Sequence, residues 1–200
     1  MAVVIFEGAS GVGKGTVAKS LANFIHAPVY RPFRRAPDSH QPGDAYPELK
    51  DIPMRVNTWR EDLVVADLLG ATHCTDVILD RSLISGLAYD DDMWDGMPPS
   101  SYGNEPWLST TRLSKNGLAA LRLWVKLLSG NHTILVLMRQ PYEVRRARGG
   151  RVGDWEAKAI DHVVCHIPTG NIRVIIANGQ SPEEIIERVM IHGETRAASF

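Results

Sequence analysis

A glycine-rich loop after the first apolar segment carries the residues of this chain that are best suited to chemistry. The loop spans Gly8 to Thr16, with the sequence Gly-Ala-Ser-Gly-Val-Gly-Lys-Gly-Thr, and directly follows the apolar run Val3–Phe6. Its glycines allow successive backbone N–H groups to surround phosphate oxygens, the helix that follows presents its positive N-terminus, and Lys14 adds a full charge. The pattern predicts a binding site for a nucleotide polyphosphate.

The position of the hydroxyl narrows the type of loop. In the usual pattern Ser or Thr directly follows the lysine, whereas here Gly15 intervenes and the hydroxyl belongs to Thr16. The run Gly-Lys-Gly-Thr resembles the loop of nucleoside monophosphate kinases such as adenylate kinase. That resemblance implies ATP as the nucleotide, Mg²⁺ with it, and Thr16 on the Mg²⁺ side. The residues predicted to bind ATP in this phosphate loop are Gly8, Ser10, Gly11, Val12, Gly13, Lys14, Gly15 and Thr16.

An acid and an arginine stand at the end of a second apolar segment. Asp80 and Arg81 directly follow Val77–Leu79. Such a pair could form a structural ion pair. Beside a phosphate loop, however, Asp80 could orient water around Mg²⁺ and Arg81 could grip a second phosphate in bidentate fashion. We therefore expect Lys14, Asp80 and Arg81 to be catalytic, with Asp80 and Thr16 near the metal.

Composition limits the class of protein and its partners. The chain has 200 residues and a formal charge of -1, which fits one α/β domain and provides no basic surplus for holding a nucleic-acid backbone. Cys74 and Cys165 are too few for a disulfide framework or a zinc site. The first residues contain no charged leader or apolar signal core, and no stretch approaches the roughly 20 apolar residues of a membrane span. We expect a cytoplasmic protein that binds small anions, with no membrane or nucleic-acid partner.

Apolar segments alternate with helical patterns along the chain. Continuous apolar strands separated by helices predict an α/β fold with a five-stranded parallel sheet covered by helices on both faces. The predicted strands are Val3–Phe6, Pro28–Tyr30, Asp76–Leu79, Thr133–Met138 and Ile172–Ala177. The predicted helices are Gly13–Ile25, Met54–Leu69, Thr111–Leu128, Pro141–Arg148, Asp154–His166 and Pro182–His192, with Gly193 as the stop of the last. The segments Arg31–Pro53 and Asp90–Trp107 are rich in turn residues and are expected to be irregular walls of a substrate site.

The chain resembles the thymidylate kinases in several motifs that occur in the same order. These are Phe6-Glu7-Gly8 leading into the phosphate loop, the Asp-Arg-Ser motif over Asp80–Tyr89, the strand and Pro-Tyr-Glu-Val segment over Leu137–Val144, and the terminal strand and Ser-Pro-Glu-Glu helix start over Ile175–Ile185. The resemblance implies a P-loop fold with a short lid at about 145–156 and an acceptor region at about 30–110, all within a single domain over 1–200. It also implies transfer of the γ-phosphoryl group of ATP to a deoxynucleoside monophosphate, most specifically dTMP, by a homodimeric enzyme of nucleotide biosynthesis.

The same resemblance assigns roles to further residues. The acceptor nucleotide would contact Arg81 and, from the matching segments, Phe33, Arg35, Arg60, Ser85 and Tyr89. Asn178 would border the adenine of ATP. Among the lid arginines Arg145, Arg146, Arg148 and Arg151, one or two would close over the migrating phosphoryl group, with Arg148 and Arg151 assigned as catalytic. A solvated helix end is the structural alternative for this arginine group. Ser10 departs from the family, which carries an acid at that position of the loop.

Three other functions remain open at this stage. A deoxynucleoside monophosphate kinase could accept a different base or several bases. A deoxynucleoside kinase, whose motif Glu-Arg-Ser is close to Asp80-Arg81-Ser82, would need a carboxylate after the second strand to deprotonate a sugar hydroxyl, where this chain has arginines. A nucleotide-binding protein without catalysis would explain Ser10 and the lid, in which the acidic signature of the family appears only as Gly153-Asp154-Trp155-Glu156. Intact Lys14, Asp80 and Arg81 argue against this alternative.

Overall fold

The core of the molecule is a parallel β-sheet of five strands. The computed structural model describes residues 2–30, 76–102, 111–150, 154–168, 170 and 172–194. The sheet strands are β1 (Ala2–Glu7), β2 (Val29–Tyr30), β3 (Val77–Asp80), β6 (His132–Arg139) and β7 (Ile172–Asn178), and they lie in the order β2-β3-β1-β6-β7. Each predicted strand is present, with ends that shift by one residue at most. Because all pairs are parallel, the carboxyl ends of the strands meet at one edge of the sheet.

Helices cover both faces of this sheet, which confirms the predicted fold class. One face packs against α2 (Leu83–Tyr89), α3 (Lys115–Leu128) and α5 (Trp155–Cys165), while the other packs against α1 (Lys14–Ile25) and α6 (Pro182–Glu194). A further short helix, α4 (Tyr142–Ala147), follows β6. None of the helices in the described part of the chain combines the length and the apolar composition that a bilayer span requires.

Alternation along β1 shows why the strands are apolar throughout. Val3 and Ile5 belong to the core on one face, and Val4 and Phe6 belong to the core on the other. Since successive side chains of a strand point to opposite faces, a strand covered on both sides must be apolar at every position. Trp124 of α3 is fully buried in the first of these cores. This side chain therefore supports the fold.

Two predicted helices differ from the observed ones. Within the predicted helix Thr111–Leu128, residues Arg112–Leu113 form a short strand, β5, paired with β4 (Trp94–Asp95). The helix begins only at Lys115, because the Ser114 hydroxyl accepts a hydrogen bond from the Gly117 N–H at 3.2 Å and caps its N-terminus. At the other end of the chain Gly193 lies inside α6, so it does not stop the helix.

The remaining predictions from the sequence concern the segment after β3 and two segments outside the described residues. The sequence pattern did not predict α2, whose seven residues are too few to show helical periodicity. The segment expected to be irregular from Asp90 contains a 3-10 helix at Asp91–Met93, β4, and a second 3-10 helix at Pro99–Tyr102. The predicted helix Met54–Leu69 and the segment Arg31–Pro53 lie outside the described residues.

Gly117 and Gly193 give opposite predictions for the same substitution. A Cβ on Gly117 would lie 2.7 Å from the Met93 carbonyl oxygen, whereas a Cβ on Gly193 would meet no atom within 4 Å. Gly117→Ala should therefore lower the free energy of unfolding by about 1–3 kcal/mol through the clash with backbone. Gly193→Ala should raise it by up to about 1 kcal/mol, because alanine is the better helix former. Chemical denaturation measures both, and equal stabilisation by the two would contradict the close contact at Gly117.

Candidate functional site

The phosphate loop connects the carboxyl end of β1 to the first turn of α1. Gly8 has a φ of 138° and Gly11 a φ of 84°, in the region that side chains disfavour. A Cβ on Gly8 would lie 2.2 Å from the Met138 carbonyl oxygen, and one on Gly11 would lie 2.5 Å from the Arg145 carbonyl oxygen. The end of β6 and helix α4 thus pack directly on the loop backbone, and glycine is required at both positions.

Lys14, the first residue of α1, lies across the loop that precedes it. Its side chain is buried, and Nζ donates hydrogen bonds to the carbonyl oxygens of Gly8 at 2.6 Å and Ala9 at 2.8 Å. Burial, together with the positive charge of Arg81, lowers the pKa of Lys14 from 10.5 to about 8. The ammonium group is therefore held at the loop by neutral acceptors, and an arriving polyanion would restore its full charge.

One open cleft brings the two predicted groups of residues together. It has a volume of about 640 Å³ and lies at the carboxyl edge of the sheet, between the phosphate loop and the end of β3. Two residues that the motifs did not single out, Lys19 and Ser20, also line it from the second turn of α1. The complete lining consists of Ser10, Gly11, Gly13, Lys14, Gly15, Thr16, Lys19, Ser20, Asp80 and Arg81.

Arg81 is held in this cleft by its backbone and by its side chain. Its φ of 80° is left-handed, which is unusual for a residue other than glycine, and its N–H donates to the Phe6 carbonyl oxygen at 3.0 Å. In the side chain, Nη1 donates to Ser85 Oγ at 3.0 Å and Nη2 pairs with Glu156 Oε1 at 3.3 Å. The guanidinium group is thus fixed from two sides while it still lines the cleft.

Glu7 is a buried carboxylate beneath Arg81 that the sequence analysis did not single out as a site residue. Its Oε1 accepts hydrogen bonds from the Ser82 N–H at 2.6 Å and the Ser82 hydroxyl at 2.8 Å, and its Oε2 accepts from the Ser85 hydroxyl at 2.6 Å. Burial raises the pKa of Glu7, against the hydrogen bond from Ser85 and the charge of Arg81. Glu7 therefore links β1 to the start of α2, directly after the Asp80-Arg81 pair. An acid at the end of a buried strand was the available signal, as it was for Asp80.

Glu156 of α5 is a second buried carboxylate that sequence reasoning missed. Besides Arg81, it accepts a hydrogen bond from the Tyr89 hydroxyl on Oε1 and one from the Ser10 N–H on Oε2, the latter at 2.7 Å. Burial raises the pKa of Tyr89 well above its usual range, so this phenol stays protonated and donates. The contact joins residues up to 146 positions apart, and no local spacing in the sequence could indicate it.

The lid arginines occupy different environments. Arg145 is buried, donates from Nη2 to Asp154 Oδ1 at 3.0 Å and lies over the Tyr142 ring, so the alternative of a solvated helix end is wrong for this residue. Arg146 and Arg148 are exposed, and Arg148 Nη1 would lie 3.7 Å from a Cβ built on Gly13. Of the two arginines assigned as catalytic, the structure thus places Arg148 beside the phosphate loop, whereas Arg151 lies outside the described residues.

The remaining predicted site residues are only partly brought together. Ser85 and Tyr89 both contact Arg81, the latter with its ring centroid 5.7 Å from the guanidinium carbon. Asn178 pairs with Arg139 at the end of β7, on the same edge of the sheet but outside the lining of the cleft. The predicted acceptor residues Phe33, Arg35 and Arg60 lie outside the described residues.

The donors in the cleft suit Mg²⁺ bound together with a phosphate. Thr16 and Asp80 line the same space. Among the described residues, no group of three or more His, Cys, Asp or Glu side chains forms a metal cage. Because Mg²⁺ commonly takes one or two protein oxygens and completes its shell with waters and substrate phosphates, this sparse donor set fits it.

Comparison with known proteins shows the fold. No family model and no curated protein matches the sequence. Among solved structures, the chain is similar to the YorR protein from Bacillus subtilis in complex with phosphorylated GDP, with a TM-score of 0.62, 15% identity and 98% of both chains covered. It is also similar to the thymidylate kinase from Candida albicans, with a TM-score of 0.56, 17% identity, and 98% of this chain and 92% of the other covered.

A third similar structure is a deoxyadenosine kinase from M. mycoides with bound dATP. Its TM-score is 0.51 at 15% identity, and 95% of this chain and 97% of the other are covered. These TM-scores at nearly full coverage show the fold, and such low identities leave the substrate open. Together with the sheet order and the phosphate loop, the comparisons show that the chain has the fold of the P-loop kinases.

The pKa of Lys14 predicts that ATP binding takes up a proton. An unliganded Lys14 with a pKa of about 8 is about half protonated at pH 8 and about 10% protonated at pH 9. The bound polyphosphate favours the charged form, so binding should take up about half a proton at pH 8 and nearly one at pH 9, and the affinity should fall as pH rises above 8. Titration calorimetry in buffers of different ionisation enthalpy measures this uptake. Lys14→Met should abolish the uptake and Lys126→Met, in exposed surface, should retain it; uptake that survives Lys14→Met would contradict the assignment.

Proposed function

We propose that the protein transfers the γ-phosphoryl group of ATP to a deoxynucleoside monophosphate, with dTMP as the first candidate. The observation that carries the proposal is the shared cleft, in which the guanidinium of Arg81 faces the same space as the phosphate loop and Lys14. Two cationic groups from different elements are thus available for two different phosphates. The fold of the P-loop kinases supports the proposal, since two of the similar structures are named as a thymidylate kinase and a deoxyadenosine kinase.

The donor would bind to the phosphate loop. Loop N–H groups and the N-terminus of α1 would surround the β- and γ-phosphates, with Lys14 neutralising charge at their junction. Thr16 and Asp80 would hold Mg²⁺, which would supply positive charge against the phosphates of the donor. Arg148 would close over the migrating group from the lid, and Arg151 is proposed for the same role from the resemblance.

The acceptor phosphate would bind to Arg81. A monophosphate oxygen is already ionised at neutral pH, so the reaction needs alignment and charge neutralisation, and it needs no strong general base. Tyr89 and Ser85 flank Arg81 and would contact the acceptor beside its phosphate. Arg60, Phe33 and Arg35 are proposed to contact the base and the phosphate from the resemblance to thymidylate kinases, which is also the reason for naming dTMP.

A second function, transfer to the hydroxyl group of an unphosphorylated deoxynucleoside, is favoured by one specific observation. The pairing of Arg81 with Glu156 balances part of its charge, and Asp80 adds another carboxylate to the cleft. This pairing lowers the net positive charge that the site offers to an acceptor phosphate. Carboxylates near the cleft would suit a neutral acceptor whose hydroxyl must lose a proton.

Product analysis with a panel of acceptors separates these functions. The protein would be incubated with Mg²⁺-ATP and either dTMP, the other deoxynucleoside monophosphates, or the corresponding nucleosides, with products resolved by anion-exchange chromatography. Formation of dTDP supports the main proposal, diphosphates of other bases indicate a different base preference, and nucleoside monophosphates support the second function. ATP binding without any product would overturn both and leave a nucleotide-binding protein.

The role of Arg81 can be tested by its removal. Arg81→Ala should raise the KM for the acceptor and lower kcat, reducing kcat/KM by about 100-fold or more, because a charge aimed at the transition state is lost. ATP affinity should remain nearly unchanged, because Lys14 and the loop hold the donor. Steady-state kinetics and ATP titration provide both quantities, with Arg122→Ala on the exposed side of α3 as the matched control. An equal loss of ATP affinity would show that Arg81 serves the donor instead.

A further inference from the structure

We propose that Glu156 is a positioning residue that aims Arg81 at the acceptor and fixes it relative to the phosphate loop. The inference deepens the proposed function and rests on it for the identity of the acceptor phosphate. The Glu156 carboxylate lies between Arg81, which would bind the acceptor phosphate, and the phosphate loop, which would bind the donor. Oε1 pairs with Arg81 Nη2, and Oε2 accepts from the Ser10 N–H of the loop.

The hydrogen bonds of Arg81 show how its guanidinium group is oriented. Ser85 Oγ accepts from Nη1 and Glu156 Oε1 accepts from Nη2, so both terminal nitrogens are tied. A guanidinium group has five N–H donors in a planar fork, and these two contacts fix its plane while leaving other donors for a phosphate. The side chain of Arg81 is 17% exposed and that of Glu156 is fully buried. Glu156 therefore acts on the substrate through Arg81.

The contact with Ser10 connects the Glu156 carboxylate to the phosphate loop. The structure places the Glu156 carboxylate 2.7 Å from the backbone nitrogen of that same residue. Glu156 thus brings a negative charge to this part of the loop from α5, the helix that follows the lid.

The hydrogen-bond geometry requires a carboxylate. Both oxygens of Glu156 accept, from Arg81 and Tyr89 on one side and from Ser10 on the other. A glutamine has one acceptor oxygen and one amino group, so either orientation turns an N–H group against another N–H or O–H donor. Glu156→Gln therefore removes the charge and one set of contacts while the volume stays nearly constant.

The test combines kinetics with a double-mutant cycle. Glu156→Gln should reduce kcat/KM for the acceptor by about tenfold or more, as is typical when a partner that orients a functional group is lost. In an Arg81→Lys background the same substitution should cost less than about threefold, because its effect passes through the guanidinium. Glu187→Gln, on the exposed surface of α6, is the matched control. Full additivity in the cycle would overturn the proposal, as would a lower KM for the acceptor, since that would identify Glu156 as an internal competitor for phosphate.

A crystal structure of the Glu156→Gln variant keeps the inference independent of turnover. In that structure the Arg81 guanidinium should move away from its position beside Ser85 Oγ. A guanidinium that keeps the same position as in the wild-type protein would overturn the proposal. If the wild-type protein phosphorylates no acceptor, the proposed function fails while this structure still decides the role of Glu156. If the Gln variant does not fold, Glu156→Asp retains the charge but is shorter by about 1.5 Å and cannot reach both partners. It should then show a loss of about threefold to tenfold with the same dependence on Arg81.

Discussion

The site depends on positive charge that is held in place by buried carboxylates. Arg81 lies between Glu7, which fixes the backbone and hydroxyls of Ser82 and Ser85, and Glu156, which pairs with its guanidinium. A buried charge without partners is costly, whereas a cation with anchored acceptors can be kept in one orientation in an empty site. The proposed reaction needs that orientation before the substrates bind, because phosphoryl transfer is accelerated mainly by alignment and by prearranged charge.

The same constraint explains how the elements around the cleft are arranged. The ends of β1 and β3 are adjacent in the sheet, so Glu7 and the Asp80-Arg81 pair emerge side by side. Helix α4 rests its Arg145 carbonyl on Gly11 of the phosphate loop, and α5 brings Glu156 to Ser10. The segment from α4 to α5 therefore contacts the loop at both of its ends.

The charge balance of the cleft bears on the choice between the two proposed functions. Lys14, Lys19 and Arg81 contribute positive charge, while Asp80 lies among them and Glu156 pairs with Arg81 from behind. The lowered pKa of Lys14 indicates that burial makes the charged form of this residue costly. A bound polyphosphate would offset that cost by stabilising the ammonium group. An acceptor with its own phosphate gains more from this arrangement than a neutral one, unless the carboxylates serve to remove a proton.

The amino-acid sequence determined the fold class, the phosphate loop and the Asp80-Arg81 pair, because each depends on local chemistry. Apolar strands identify a sheet covered on both sides, glycine and lysine spacing identifies a phosphate loop, and Ser181 and Glu184 at the start of α6 form the capping contacts that their spacing predicts. The start of α3 was misjudged, because pairing of Leu113 with Trp94 of another segment competes with helix formation. Only the tertiary structure revealed Glu156 at Ser10 and the burial of Arg145. These contacts join residues that packing alone brings together, and no periodicity along the chain encodes them.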